Sequence, residues 1–312
     1  MSPTPDNVLV FGGAGAVGRN AAISASKHGA KVYLAMRDLQ KPIPSLSKAD
    51  EEKARFERVQ ADLSNPSSLK AAVATSKATI AFVYAITEAQ DAMKSAFEAL
   101  KEAGITTIIL LSSFSVRPSA EEAQHYKYLP AKHAAIELQL IESGLSYVTV
   151  RPGYFNSNTL WYKDGIKSGE VKLFGTKACF DFIAPEDIGA AIGKLLTTPS
   201  PHLPMNEKNG KSVHICGPRV MSVEESLGII GSVLGKEVRV VETGEEGFWV
   251  AFAHLPKPIA ESILENTKAC IPPRADFSGE FWSKAAENLS AYKEGEPMGF
   301  KEWVEAHRDE FE

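Results

Sequence analysis

Short apolar runs, many of them β-branched and bounded by polar residues or glycine, recur through the first half of the chain. Such runs are typical of buried strands, and helices are predicted in the stretches between them. The predicted strands are residues 7–11, 31–36, 57–60, 79–84, 106–112 and 146–151, and the predicted helices are 16–28, 66–75, 88–103 and 131–143. This alternation predicts an α/β fold with a doubly wound parallel sheet, helices on both faces and ligands at the carboxyl ends of the strands.

The alternation fades after Gly153, where the sequence becomes mixed and rich in aromatic residues. A helix from Pro185 to Leu196 and a strand at 211–216 then return to the earlier pattern. We therefore predict two parts, whose boundaries are 1–153 for a Rossmann domain, completed by 181–198 and 211–217, and 154–180 with 218–312 for a smaller, mixed substrate lobe. The polar insertion 41–57, with two prolines, is predicted to be a loop with a short helix.

The first strand runs directly into a glycine-rich turn, and a predicted helix follows. Glycine allows a tight turn and a close approach of the backbone to a pyrophosphate, and the helix N-terminus directs N–H groups at the phosphates. The spacing is G-x-x-G-x-x-G, a variant of the usual dinucleotide motif G-x-G-x-x-G. The residues expected at the cofactor are Gly12, Gly15, Ala16, Val17 and Gly18.

The second strand ends at Arg37, where a dinucleotide would place its adenosine ribose. Proteins that read NAD usually carry an acidic side chain here, which accepts hydrogen bonds from the ribose hydroxyls. An arginine instead can pair with a 2′-phosphate, so Arg37 predicts NADP(H) as the cofactor. Asp38 follows directly, so the alternative of an acidic side chain that contacts the ribose stays open.

Tyr128 and Lys132 form a Tyr-x-x-x-Lys pair, with Pro130 between them. Proline is tolerated only in the first turn of a helix, so the pair is predicted at a helix N-terminus, with both side chains on one face. The helix dipole and the lysine both favour a phenolate, which suits Tyr128 to proton transfer. Ser113, at the end of the preceding strand, can hydrogen-bond a substrate carbonyl. Neighbouring residues compete for these roles: Tyr126, Ser112 and Ser115. The alternative is a Tyr128 packed at a loop and a solvated Lys132.

Composition narrows the class of partner. The 312 residues carry a net charge of −5, so no basic surface predicts nucleic-acid binding. No apolar run approaches the ~18 residues of a membrane helix, and the first residues lack the pattern of a secretory leader. Three widely spaced cysteines predict reduced thiols in a cytoplasmic protein, and the scattered histidines predict no metal site. A small-molecule partner and a monomer or homodimer are expected.

The chain resembles the NmrA-like family of atypical or extended short-chain dehydrogenases/reductases. The segments that carry the resemblance are 11–18, 110–113, 132–137, 142–155, 183–188 and 210–218, and among them Arg-Pro-Gly-aromatic at 151–154 is the most specific. Many NmrA-like members lack the catalytic tyrosine, so the presence of Tyr128 favours an active enzyme. The resemblance implies that Asp62 and Leu63 contact adenine, that Tyr84 and Ala85 line the cofactor, and that Pro152, Tyr154 and Phe155 close over the nicotinamide.

These observations predict an NADPH-dependent reductase of a C=O or C=N group, in which Tyr128 supplies a proton, Ser113 orients the acceptor and Lys132 holds the ribose. Aromatic residues predict an apolar substrate pocket: Trp161, Trp249 and Phe252. Because the segments that contain them carry no cluster of Arg or Lys, we expect a bulky, neutral or weakly cationic compound of secondary metabolism. Two alternatives are a non-catalytic NADP(H)-sensing regulator and an enzyme whose cofactor assists a redox-neutral isomerisation or cyclisation.

Overall fold

Seven parallel strands form the central sheet of the computed structural model, which describes residues 7–198, 210–273 and 279–312. They are β1 (Asn7–Phe11), β2 (Lys31–Met36), β3 (Glu57–Gln60), β4 (Ile80–Tyr84), β5 (Thr107–Leu111), β6 (Ser146–Pro152) and β9 (Gly210–Ile215). Their spatial order is β3-β2-β1-β4-β5-β6-β9, and every neighbouring pair is parallel. The order reverses between β1 and β4, where such sheets bind ligands. The predicted doubly wound α/β fold is confirmed.

Helices cover both faces of the sheet. One layer consists of α1 (Ala16–Lys27), α8 (Pro185–Thr197) and α12 (Glu280–Tyr292), and the other of α3 (Pro66–Ser76), α4 (Lys94–Ala103) and α6 (Leu129–Glu142). Leu289 of α12 lies in the same buried cluster as Val10 and Val213 of the sheet. Part of the chain that was predicted to form the smaller lobe therefore packs on the sheet itself.

The remaining elements lie outside these three layers. They are α2 (Lys48–Lys53), α5 (Ala120–Ala123), a 3-10 helix (Asn156–Tyr162), α7 (Lys163–Ser168), β7 (Glu170–Leu173), β8 (Cys179–Phe180), β10 (Met221–Ser222), α9 (Val223–Leu234), β11 (Arg239–Glu242), α10 (Glu245–Ala251), α11 (Lys257–Ala269), α13 (Phe300–Ala306) and α14 (Arg308–Phe311). β7 pairs with β11 and β8 with β10, and a separate core surrounds Phe182, Phe300 and Trp303. A smaller cluster forms around Phe248 and Phe252.

The helix predicted at 88–103 begins only at Lys94. The backbones of Ala92 and Met93 are left-handed, with φ of 49° and 64°, which interrupts a right-handed helix. The Asp91 carboxylate accepts the N–H groups of Met93 at 3.1 Å and Ser95 at 2.9 Å, and so stabilises this turn. The prediction was wrong at this end, because a local side-chain hydrogen bond competes with the helix.

Two glycines bring α8 against α1. A Cβ atom on Gly189 would lie 2.5 Å from the Cβ of Asn20, and one on Gly193 would lie 2.4 Å from the Cβ of Ser24. The Ser24 hydroxyl also donates to the Ala190 carbonyl at 3.0 Å. This close approach places Pro185, the first residue of α8, beside the glycine-rich turn.

Within the described ranges, no helix combines the length and the apolar character needed to cross a lipid bilayer.

Candidate functional site: two adjoining cavities

A cavity of about 840 Å³ opens at the carboxyl ends of β1, β2, β3 and β4. Ten of the predicted cofactor residues line it: Gly12, Gly15, Ala16, Val17, Gly18, Arg37, Asp62, Leu63, Tyr84 and Phe155. They come from the ends of five strands, β1 to β4 and β6, which a parallel sheet brings to one edge.

The glycine-rich turn lies at the base of this first cavity. Gly12 has φ of 71°, and its carbonyl accepts the Gly15 N–H at 2.8 Å. A Cβ atom on Gly18 would lie 2.4 Å from the Gly12 carbonyl oxygen, so only glycine lets α1 start this close to the turn. α1 has no side-chain cap and no acidic residue in its first turn. Its N-terminal N–H groups are therefore free to bind an anion such as a pyrophosphate.

Two cationic side chains lie at the far end of the first cavity. Arg37 and Lys41 both line it, and neither forms an ion pair with another described residue. The carboxylate of Asp38 accepts the Gln40 N–H at 2.8 Å and so stabilises a local turn. Hydrogen bonds from Ser64, with Arg37 nearby, hold the pKa of Asp62 below its usual value. Lys41 was missed because a lysine in a polar insertion shows no periodicity.

A second cavity, of about 960 Å³, adjoins the first. Tyr84, Leu111 and Phe155 line both cavities, so the two spaces meet at the ends of β4, β5 and β6. Six further predicted residues line the second cavity: Ser113, Ala85, Pro152, Tyr154, Trp161 and Phe252. Three predicted residues, Tyr128, Lys132 and Trp249, line neither cavity. Trp249 packs edge-on against Phe248, with 5.5 Å between ring centroids, in the small cluster around α10.

Tyr128 directly precedes α6 and is not part of it. Its dihedrals, φ 36° and ψ −88°, are not helical, so helical spacing does not place its side chain on the same face as Lys132. Pro130 does lie in the first turn, as predicted. Tyr126 lines the second cavity and is 48% exposed. The choice between these two tyrosines as proton donor stays a prediction.

The structure distinguishes the three serines after β5. The buried Ser112 hydroxyl donates to Glu137 at 2.5 Å, which removes it from substrate binding. Ser113 Oγ accepts the Ser115 N–H at 3.2 Å and lies 2.9 Å from Ser115 Oγ. If the Ser115 hydroxyl donates across that contact, the hydroxyl hydrogen of Ser113 is free to point into the cavity.

A buried ion pair joins two of the segments that carried the family resemblance. Arg151, at the end of β6, donates to Glu137 of α6 at 3.0 Å through Nε and 2.5 Å through Nη2. The two side chains are 4% and 0% exposed. Bidentate geometry with a further hydrogen bond from Ser112 satisfies the pair, whereas removing either charge would leave the other unpaired in the core. The arginine of Arg-Pro-Gly thus positions the loop and does not reach the cavity.

Asp181 holds the segment that follows Arg151. Its two carboxylate oxygens accept the N–H groups of Tyr154 and Gly217, each at 2.9 Å. A Cβ atom on Gly153 would lie 2.1 Å from the Asp181 carboxylate, so the glycine of Arg-Pro-Gly leaves room for this contact. Burial raises the pKa of Asp181 to about 6.

His133 is the imidazole on the wall of the second cavity, and sequence reasoning missed it. Its Nδ1 atom is buried and has no partner among the described residues. Burial lowers the pKa of His133 to about 4, so the ring is neutral near pH 7. Burial also raises the pKa of Tyr162 to about 12 and that of Tyr154 well above its usual value. These two phenols stay protonated. Of the other two phenols of this wall, Tyr126 is exposed and Tyr84 is half-buried.

Comparison with known proteins agrees with this arrangement. A family model described as NAD(P)H-binding matches residues 12–199. The chain is 32% identical to the nitrogen metabolite regulation-like protein bik4 of Gibberella fujikuroi, over 97% of each chain. It is 28% identical to the (4-alkanoyl-5-oxo-2,5-dihydrofuran-3-yl)methyl phosphate reductase of Streptomyces griseus, over 84% of this chain and 86% of that protein. Among solved structures, an NADPH-dependent quinone oxidoreductase of Escherichia coli shares the fold, with a TM-score of 0.70 and 18% identity over 97% of this chain and 99% of that one.

Proposed function

The chain belongs to the NmrA-like family of NAD(P)H-binding proteins, and from that premise we propose that it is an NADPH-dependent reductase of a bulky, largely apolar small molecule. The group reduced is a C=O or C=N bond. One observation carries the proposal: a cavity suited to a dinucleotide opens into a second, aromatic cavity across the shared residues Tyr84, Leu111 and Phe155. Proteins that only bind the cofactor do not need a second cavity of about 960 Å³ at that point. Two similar proteins also carry reductase names.

The residues of the first cavity fit NADPH. The uncapped N-terminus of α1 and the close Gly12–Gly18 turn suit the pyrophosphate. Arg37 and Lys41 suit the 2′-phosphate that distinguishes NADPH from NADH. When bound, NADPH supplies a hydride to an electrophilic carbon of the acceptor.

The second cavity must orient the acceptor and provide a proton to its oxygen or nitrogen. The Ser113 hydroxyl and the neutral His133 imidazole both line it and can donate hydrogen bonds to that atom. A neutral imidazole polarises a carbonyl without adding a full charge to the cavity. Tyr126 and Tyr128 are the two candidates for donating the proton. Lys132, near the start of α6, acts in this proposal as a positioning residue. The aromatic wall excludes water from the acceptor.

The test is oxidation of NADPH, followed by its absorbance, with a panel of quinones, aromatic ketones and cyclic imines. We expect turnover with at least one class. Tyr126→Phe and Tyr128→Phe are compared in parallel, because loss of a general acid lowers kcat about 10²–10⁴-fold and leaves NADPH affinity unchanged. Ser113→Ala should lower kcat with little change in NADPH binding, and Tyr292→Phe, which lies outside both cavities, is the matched control. If neither tyrosine variant loses turnover, the assignment of the proton to Tyr126 or Tyr128 is wrong.

A second candidate function is that of a non-catalytic NADP(H) sensor. The observation in its favour is that Tyr128 and Lys132 line neither cavity, and the Gibberella protein is named as regulation-like. NADPH binding without oxidation by any acceptor of the panel would support this candidate and contradict the reductase.

A further inference from the structure

Two unpaired cations line the second cavity, contrary to the expectation that it lacks them. Arg117 and Lys127 both contribute to its wall. Neither side chain forms an ion pair or a hydrogen bond with any other residue that the structure describes. Both come from the segment between β5 and α6, whereas the aromatic segments that predicted the pocket come from later in the chain.

The two carboxylates of the same wall, Asp181 and Glu265, have partners other than these cations. Both oxygens of Asp181 accept backbone N–H groups, each at 2.9 Å, and the buried carboxyl is held by the loops around it. The carboxylate of Glu265 forms an ion pair with Lys268, at 3.6 Å, on the same helix, α11. Arg117 and Lys127 are therefore the two cations of this wall that have no ion-pair partner among the described residues.

Arg117 is held beside an aromatic surface. Its guanidinium carbon lies 5.0 Å from the ring centroid of Phe114. Trp282 stacks on Phe114 at 4.7 Å with an angle of 22° between the rings, and Phe281 meets Phe114 edge-on at 5.3 Å. A guanidinium that rests on a ring has its planar fork oriented in advance, so less entropy is lost when it binds an anion. Phe114 and Trp282 both line the cavity, next to the cation.

We infer that the acceptor carries an anionic group, a carboxylate, phosphate or acidic phenol, which Arg117 and Lys127 bind while its flat ring system packs on Phe114 and Trp282. This inference rests on the proposed function and narrows its substrate class. It replaces the expectation of a neutral or weakly cationic compound, which considered residues 154–162 and 248–252 and not the loop that carries the two cations.

The test uses probes that cannot be reduced, so that binding is measured apart from turnover. 2-Naphthoate is flat and anionic, and 2-naphthamide is its neutral isostere. With the full chain in saturating NADPH, calorimetry should show naphthoate binding about ten- to a hundredfold more tightly than naphthamide, the range of a charge-assisted hydrogen bond. Arg117→Gln and Lys127→Gln should each reduce this ratio, and the double variant should abolish it. Lys167→Gln removes the same charge from α7, outside both cavities, and should leave the ratio unchanged.

Equal affinity for the two probes, or absence of naphthoate binding, would overturn the anion site. So would variants that weaken both probes equally, since that points to lost packing on Phe114. Far-ultraviolet circular dichroism and thermal unfolding confirm that each variant is folded. Failure of the proposed function looks different: naphthoate binds with the expected charge dependence, yet no acceptor, charged or neutral, oxidises NADPH.

Discussion

At the scale of single residues, the chemistry of the first cavity depends on a few side chains whose position the sheet determines. Arg37 follows β2 directly, so its place at the cavity rim follows from the strand that precedes it. Lys41 reaches the same rim from the polar insertion. Neither forms an ion pair with another residue that the structure describes, so cofactor preference is the most direct test of their role.

Arg37→Ala should weaken NADPH binding by about 1.5–3 kcal/mol, roughly ten- to a hundredfold, and leave NADH binding nearly unchanged. The reason is that NADPH alone carries the 2′-phosphate. Lys41→Ala should act in the same direction with a smaller effect, because a lysine binds phosphate as a point charge without the bidentate fork. Calorimetry with both cofactors measures the effects. Lys48→Ala, on the same insertion but away from the cavity, is the control, and equal losses for NADPH and NADH would refute the assignment.

His214 makes the free energy of unfolding depend on pH. It lies on β9 between Phe114 and Phe281, at 5.4 and 5.0 Å between ring centroids, and its Nε2 has no partner among the described residues. Burial, with Arg151 nearby, lowers the pKa of His214 to about 4 from the ordinary 6.5. Between these values the unfolded chain binds more protons than the folded one, so stability is present above pH 6.5 and is lost as pH falls towards 4.

His214→Phe should therefore gain stability relative to the wild type as pH falls from 7 to 4.5, by about 2–3 kcal/mol. Urea unfolding at the two pH values measures it. Comparing the variant with the wild type cancels the contribution of Asp181. Because the pKa of Asp181 is raised to about 6, this residue stabilises the fold below its ordinary pKa, and that stabilisation is lost as pH rises through 6. His254→Phe, an exposed histidine, is the control. A variant whose stability runs parallel to the wild type at both pH values would show that His214 does not carry this dependence.

At the scale of elements, the contact between α1 and α8 decides where the glycine-rich turn sits. α8 approaches α1 through Gly189 and Gly193, and its first residue reaches the first cavity. Two helices can lie this close only where the residues at the crossing have no side chain. Gly18 lets α1 lie close to the turn for the same reason.

Gly189→Ala should destabilise the protein by about 1–3 kcal/mol, because its Cβ would meet the Val17 carbonyl oxygen at 2.8 Å and the Asn20 Cβ at 2.5 Å. It should also weaken NADPH binding, since α1 carries the cofactor turn. Gly228→Ala in α9 is a matched control: nothing lies within 4 Å of its added Cβ, and the same substitution should stabilise that helix by up to about 1 kcal/mol. Thermal and urea unfolding compare the two. Equal effects of the two substitutions would show that close helix packing is not what Gly189 provides.

At the scale of the whole molecule, the sheet and the later part of the chain build one continuous space. The first cavity is formed by the ends of β1 to β4, and the second by the loops after β5 and β6 together with α10 and α11. Asp181 joins the segment after β6 to Gly217, two residues after β9, and the buried pair of Glu137 and Arg151 joins α6 to β6. These two connections fix the loops between the cavities relative to each other, as the proposed transfer of a hydride to the acceptor would require.

Much of the first cavity could be predicted from the sequence, because it depends on local signals. A strand, a glycine turn and a helix in that order, and Arg37 directly after β2, are positioned by residues near them in the chain. The parallel sheet and the helix that starts at Pro185 were predicted from equally local patterns, and the structure confirms both. Hydrophobic periodicity determines strands and helices, and parallel strands then bring their carboxyl ends to one edge.

The tertiary structure decided which of the predicted residues line the second cavity and which further side chains join them. Its wall combines loops far apart in the chain, whose conformations depend on hydrogen bonds and positive φ values that periodicity does not reveal. Tyr128 leaves the helical register that its spacing to Lys132 implied, because the helix begins one residue later. Arg117 and Lys127, on the loop after β5, and His133, on α6, reach the second cavity for a related reason. The packing around the loop and the helix places these side chains, and that packing exists only once distant segments have come together.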